Sequence, residues 1–410
     1  MSAKKLNNVF TQALDELRKK GTAKGKEMVI TGVKPTEGAN GPRYFIEGRE
    51  NKEFLKMNAN AYLGLSFRRD VIQAEEDAVK KFGAGPGAVR FINGTYKPHI
   101  ELEEKLAKFH NKEAAMIFSS AYSAMIGIFA PLISKESIAI SDELNHNCII
   151  NALRLSRPNV KEIYKHLDMK DLEEKIRNNL GQGKRVVIVS DGIFSMRGDY
   201  APLDKISELA KKYDAEFEEG ITLIVDDSHG VGAFGKTGRG TEEYTNADGV
   251  DVLIGTLGKA LGVNGGYVAS TATIIKYLRE TAPTYIYSNP ITPSEASAAV
   301  KALEILDSKK GLELLEWLHK LTKRFEKGLV DLGYEIIESD HPVVPLMVRD
   351  TNKTTELVKY LTDKGILATG LNFPVVPKGD EEIRFQISAA HTESDIDYVL
   401  NVLKEYKQTH

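Results

Sequence analysis

A chain of 410 residues, 42% hydrophobic and 28% charged, exceeds one average core and suits a large domain joined to a smaller one. Its net charge of −3 excludes a global positive field for nucleic acid or an anionic membrane surface, so the expected partner is a small molecule. The single cysteine, Cys148, excludes an internal disulfide, and with no Cys-x-x-Cys or His-x-x-x-His spacing no metal is expected.

The opening stretch MSAKKLNNVFTQALDELRKKG spreads its charges and reads as an amphipathic helix, not as a signal peptide with an apolar centre. Nowhere do ~18 consecutive apolar residues occur, the usual minimum for a membrane span, so a cytoplasmic protein is expected. The expected organisation is an N-terminal helix with short strands over 1–55, a large domain over 56–290 and a small α+β domain over 291–410.

Apolar, β-rich runs then alternate with helical stretches: AAMIF (114–118), SIAIS (137–141), RVVIVSD (185–191), TLIVDD (222–227) and VLIGT (252–256). This alternation predicts an α/β fold with a mostly parallel, helix-covered sheet. The runs stop at Ser119–Ser120, Ser141–Asp142, Asp191, Asp226–Asp227 and Thr256. Ligands of open α/β sheets bind beyond the carboxyl ends of the strands, so these residues should face one site. After Pro293 a long helical region containing ELLEWLHKLTKRFEKGLVDLG leads to the short strands VVPLMV and EIRFQIS.

The glycine-rich GAGPGAVRFINGT (83–95) lacks the ending of a phosphate loop and follows a helical pattern, so close backbone packing or a mobile substrate-side loop is its expected use. FSSAYSAM (118–125) follows a strand and opens a helix. Ser120 with the backbone amides of Ala121 and Tyr122 would make an anion site, although a plain N-cap explains the serine equally. His146, after a strand end, would stack on a flat heterocycle or serve the core. Asp226 ends TLIVDD with His229 in the following turn. Opposite a pyridine nitrogen such a carboxylate would keep the ring protonated, whereas a helix cap or a magnesium ligand is the bland use. In VLIGTLGKALGVNGGY, Lys259 follows a strand among glycines with Thr256 three residues before it. Crowding would desolvate it and make it nucleophilic toward an aldehyde, although any lone lysine is more often a surface residue. Arg384 in EIRFQISAAHT is a candidate carboxylate clamp or a surface ion pair.

Taken together and in order, NANAYLGL, GAGPGAVRFINGTYKPHIELE, SDELNHN, DGIFSMRGDYAPL, VDDSHGVGAFGKTGRG, GTLGKALG and RFQISAAHT resemble the α-oxoamine synthase family of fold-type I pyridoxal-phosphate (PLP) enzymes. The resemblance implies an aspartate aminotransferase-like transferase, dimeric, with active sites at the subunit interface. It implies Lys259 as the Schiff-base lysine and the base at the α-carbon, Asp226 on the pyridine nitrogen, His229 at the phenolate oxygen and His146 over the ring. Asp191 and Ser195 belong to the same pocket. Phosphate would be held by Ser120, Ala121, Tyr122 and Thr256, with Ser288 and Asn289 reaching across from a second subunit. Asn60 and Arg384 would hold the amino-acid carboxylate.

YSNPITP (287–293), FPVVPKG (373–379) and KHLDM (165–169) are similar to the branch of the family that joins glycine to acetyl-CoA, which implies those two substrates. The other implied chemistries are alanine with a pimeloyl thioester and serine with a long-chain acyl-CoA. A PLP transaminase or lyase is the more distant alternative. Ala121, Met125 and Ala61 depart from the family pattern. A backbone amide survives the replacement of glycine by alanine, so the phosphate turn is still expected to form.

Overall fold

The computed structural model describes residues 2–20, 23 and 25–410. Met1 and Gly21 of the opening stretch lie outside the described residues. Seven strands make the central sheet: β1 (Ala114–Phe118), β2 (Ser137–Asp142), β3 (Val160–Tyr164), β4 (Arg185–Asp191), β5 (Ile221–Asp226), β6 (Val252–Thr256) and β7 (Gly266–Ser270). Their spatial order is β1-β7-β6-β5-β4-β2-β3. Only β7 opposes its neighbours, pairing antiparallel with β1 and β6, while the other pairs are parallel.

This is the mostly parallel sheet that the apolar runs predicted, and its two faces explain why the runs are continuous. Val186 and Ile188 of β4 join the core on one face, whereas Val187 and Val189 pack into the core on the other. A strand covered on both sides has no solvent face to alternate toward. Each such side chain contributes about 1.5–3 kcal/mol through burial. Helices Ala121–Leu132 and Asn147–Ser156 cover the second face.

Two strands of the central sheet escaped the sequence reading. VKEIY (β3) is an edge strand whose alternate residues are exposed, and GYVAS (β7) hides at the end of the glycine-rich Lys259 segment.

The predicted long helix spans Lys309–Asp331 and buries Leu315, Leu318, Leu321, Phe325 and Leu329, a stripe at three- and four-residue spacing. Beyond it, strands Glu335–Ile336, Val343–Met347, Glu382–Gln386 and Thr369–Leu371 form an antiparallel sheet in that spatial order. Leu55–Lys56 pairs in parallel with Ile366–Leu367, so the early chain is tied to this C-terminal layer.

The opening stretch forms helix Ser2–Lys19, exposed along its length from Ala3. Among the described residues, no helix is long and apolar enough to cross a membrane. Helix Arg69–Phe82 precedes the glycine-rich segment as expected. The segment closes on a helical turn, Arg90–Gly94, where a Cβ on Gly94 would lie 2.0 Å from the Ala88 carbonyl oxygen. Close backbone packing is therefore its use at this position. Arg90 locks the turn through a buried pair with Glu103 at 3.0 Å.

Candidate active site

The carboxyl ends of β1, β4, β5 and β6 open into a cavity of about 250 Å³. Ser120, Ala121 and Tyr122 line it from the β1 end, Asp191 from β4, Asp226 and His229 from β5, and Thr256 and Lys259 from β6. His146 and Ser195 complete the set from two loops. Ten of the fourteen residues singled out in the sequence therefore meet in one cavity.

Its first wall is a helix N-terminus. Ser120 caps Ala121–Leu132: its Oγ accepts from the Ser123 amide at 3.0 Å, and Ser123 Oγ accepts from the Ser120 amide at 3.0 Å. The amides of Ala121 and Tyr122 belong to the first turn, which has no preceding helical carbonyls to accept them. They remain available to an anion, and the helix dipole favours one. Gly266 lets β7 pass directly beneath this turn, because a Cβ there would lie 2.1 Å from the Ala121 nitrogen. Gly266 is also in register with Thr256, which places the threonine beside the same turn.

The floor is acidic. Asp191 and Asp226 are register partners at the ends of β4 and β5, and both are buried. Asp226 Oδ1 accepts from the Ser228 amide at 3.1 Å, and Oδ2 is 3.5 Å from the Cys148 thiol. Asp191 accepts from the His146 amide at 2.7 Å, and its own amide donates to Asn145 Oδ1 at 2.8 Å. Burial, reinforced by Asp226, pushes the Asp191 carboxyl well above the usual range.

Over this floor stand two imidazoles and one amine. His146 caps helix Asn147–Ser156, with Nδ1 accepting from the Cys148 amide at 3.2 Å, and its ring is exposed. Burial of its inner side, helped by Lys259, lowers its pKa against the pull of Asp226. His229 is held well below the ordinary imidazole value by burial and by Lys259, and its Nδ1 is 2.7 Å from the Tyr62 hydroxyl. Both rings are thus neutral stacking or hydrogen-bonding groups. Desolvation lowers Lys259 to about 8 against the attraction of Asp226 and Asp191. A substantial neutral fraction near that pH makes the amine a nucleophile.

Four expected residues lie outside the cavity lining. Asn60 Oδ1 is 3.5 Å from the Tyr62 hydroxyl, one hydrogen bond removed from His229. Arg384 donates through Nη1 to the Ser195 carbonyl at 3.0 Å, and its buried Nε has no partner. Ser288 and Asn289 follow the short helix Pro283–Ile286, and Asn289 is exposed. The expectation that every polar strand end faces the site is corrected at Ser119, Ser141, Asp142 and Asp227. The Asp142 carboxylate turns to His166 at 3.0 Å, and the Asp227 carboxylate caps Thr241, accepting from its amide at 2.6 Å. Neighbouring residues at a strand end point in opposite directions, so Ser120 and Asp226 line the cavity while Ser119 and Asp227 do not, and of Ser141 and Asp142 neither does.

Tyr62, Cys148, Ile193 and Ser228 are the residues that sequence reasoning did not assign. Tyr62 stands inside NANAYLGL, and Cys148 was weighed only for disulfides and metals. His-x-Cys at the opening of a helix was the available signal.

The donor set fits PLP. A helix N-terminus suits the phosphate, a buried carboxylate suits a protonated ring nitrogen, an exposed imidazole suits the ring face, and a desolvated amine suits the aldehyde.

Residues 52–403 match the family described as aminotransferase class I and II. The chain is 39% identical over 394 residues to 8-amino-7-oxononanoate synthase of Thermosipho melanesiensis, covering 96% of each chain. It is 38% identical over 407 residues to the mitochondrial 2-amino-3-ketobutyrate coenzyme A ligase of Bos taurus, covering 99% of this chain and 93% of that one. Among solved structures it is similar to serine palmitoyltransferase from S. paucimobilis with a bound PLP–myriocin aldimine, with a TM-score of 0.86, 26% identity, and 99% of this chain and 98% of that one covered. The chain belongs to the aminotransferase class I and II family, and within it to the PLP-dependent α-oxoamine synthases.

Proposed function

We propose that this α-oxoamine synthase joins glycine to acetyl-CoA, releasing CoA and 2-amino-3-oxobutanoate, the reaction of a glycine C-acetyltransferase. Both halves of the assignment rest on the YSNPITP, FPVVPKG and KHLDM segments and on the likeness to the Bos taurus ligase.

When bound, PLP supplies a ring that accepts the electrons left behind when a bond to the amino-acid α-carbon breaks. The chain supplies everything else. Ser120, the amides of Ala121 and Tyr122, and Thr256 anchor the phosphate, and Asp226 holds a proton at the ring nitrogen. His146 covers the ring face, and neutral His229, oriented by Tyr62, reaches the phenolate oxygen. Lys259, with an amine lowered to about 8, takes the proton from the α-carbon and, with a pKa close to the working pH, can both hold and return it. Arg384 takes the substrate carboxylate through its guanidinium, with Asn60 as the second group.

A homodimer belongs to the same proposal. Tyr287 is 80% exposed, and Phe91 and Ile92 are exposed as well, which is the surface an isologous partner covers. Ser288 and Asn289 adjoin Tyr287, in position to complete the neighbour's phosphate site.

A second reading, alanine with a pimeloyl thioester, is favoured by the name of the Thermosipho relative. Thiol release decides between them: the purified holoenzyme is given glycine, alanine and serine against acetyl-, pimeloyl- and palmitoyl-CoA. Glycine with acetyl-CoA should be fastest, and a preference for alanine with the pimeloyl thioester would overturn the assignment.

A further inference from the structure

Beside the cavity, but not lining it, a histidine bridges two carboxylates that belong to different elements. His166, in the turn after β3, brings Nδ1 to 3.0 Å from Asp142 Oδ1 and Nε2 to 3.2 Å from Asp199 Oδ2. Asp142 ends β2, whereas Asp199 belongs to the loop that leaves β4. A carboxylate only accepts, so a ring with both nitrogens on carboxylates is satisfied only as the doubly protonated cation. Burial opposes that charge, yet the two aspartates prevail and raise His166 to about 9. Arg197 Nε adds a second cation to Asp199 at 2.8 Å, and the Phe194 ring meets His166 edge-on at 4.4 Å.

The loop held in this way is the one that touches Arg384. Asp199 accepts through its backbone carbonyl from the Phe194 amide at 2.9 Å, and Ile193 is bridged to Tyr200, so the segment closes on itself. Between these ties lies Ser195, whose side chain lines the cavity and whose carbonyl takes Arg384 Nη1 at 3.0 Å. The side-chain hydrogen bonds of Arg384 both go to this loop, the second to Met196 Sδ at 3.9 Å, and its Nε is unpartnered. The guanidinium therefore stands where the loop puts it.

We propose that His166 is a positioning residue for the substrate carboxylate: by bridging Asp142 and Asp199 it fixes the loop whose Ser195 carbonyl aims Arg384. The inference rests on the reading that Arg384 grips the amino-acid carboxylate. Without the imidazolium, Asp142 loses its cation while Asp199 keeps Arg197, and the two carboxylates are left facing each other in a poorly solvated place. The loop is then pushed outward, and Ser195 leaves the arginine.

The test is amino-acid binding to the holoenzyme, read from the change in its visible absorbance, for His166→Ala and Arg384→Ala separately and combined. His166→Ala should weaken glycine about tenfold or more, leave the KM for the acyl thioester within about twofold and leave PLP affinity unchanged. Methylamine, which lacks the carboxylate, should bind the wild type and His166→Ala equally. The double variant should be no weaker for glycine than Arg384→Ala alone, because both remove one interaction. Equal losses for glycine and methylamine, or additive losses in the double variant, would overturn the proposal and leave His166 a plain structural tie. If Arg384→Ala itself leaves glycine binding unchanged, the clamp reading fails first, and the two failures are distinguishable. Should His166→Ala not fold, His166→Gln, which keeps one donor, is read by the same glycine-to-methylamine ratio, and a ratio equal to that of the wild type sinks the idea.

Discussion

Replacing Gly266 by alanine tests the phosphate turn without removing any group that would contact the cofactor. A Cβ at this position would lie 2.1 Å from the Ala121 nitrogen, 2.4 Å from the Ser120 carbonyl carbon and 2.5 Å from the Ala121 Cα, about 1.3 Å short of ordinary contact. Strand β7 cannot retreat, because Gly266 is paired to Phe118 on one side and to Thr256 on the other. The Ser120–Ala121 turn borders open space and gives way instead. A displacement of that size breaks at least one charge-assisted hydrogen bond to the phosphate, worth about 1.5–3 kcal/mol, or roughly 10- to 150-fold in affinity. PLP dissociation constants, measured by fluorescence titration of the apoprotein, should rise accordingly in Gly266→Ala. Pyridoxal, which lacks the phosphate, should lose less than about threefold by the same reasoning. If both ligands weaken equally, the defect is general and the turn is not the phosphate site; unchanged PLP affinity would refute the geometric argument altogether.

Lys259→Ala should abolish borohydride-stable attachment of PLP, checked by mass spectrometry, and attachment that persists at another lysine would displace Lys259 from its role. In the apoprotein, borohydride-trapped labelling of Lys259 by a simple aldehyde should rise through pH of about 8. Asp226 raises this amine, so Asp226→Asn should move the midpoint downward, and an upward shift would contradict the assigned electrostatics. His166 has a folded pKa raised to about 9 from an ordinary 6.5, so its stabilisation is complete below pH 6.5 and is lost as pH climbs through 9. The difference in urea stability between wild type and His166→Asn should therefore shrink by up to about 3 kcal/mol across that window, and a difference that is flat with pH would refute the bridged cation.

Much of the architecture was legible because a doubly covered sheet leaves an unmistakable trace. RVVIVSD and VLIGT were read to the residue, since burial on both faces demands unbroken apolar runs. VKEIY was lost because an edge strand needs only one apolar face, and its charged residues look like loop. GYVAS was lost for the opposite reason: its opening glycine serves the turn beneath Ala121, so the residue that makes the strand functional also disguises it.

The site divides along the same line. Ser120, Asp191, Asp226 and Thr256 were found because a strand-end rule applies to local sequence, and the rule misassigned Asp142 and Asp227 because it says nothing about which way a side chain turns. Tyr62 meets His229 across 167 positions of sequence, and Arg384 meets Ser195 across 189, separations at which no local pattern carries information. Most of the residues assigned to PLP thus came from the strand ends of one sheet, whereas Tyr62 and Arg384 came from distant segments folded against it. In the proposed site a carboxylate clamp aimed by a loop would respond to changes many residues away, and substrate choice would follow it. Ile193 and Ser195 line the cavity and sit on the loop tethered by His166, and the Ser195 carbonyl holds Arg384. A variant that loosens this tether should trade glycine affinity for tolerance of alanine, measured as the ratio of kcat/KM for the two amino acids, and a ratio equal to that of the wild type would detach the loop from specificity.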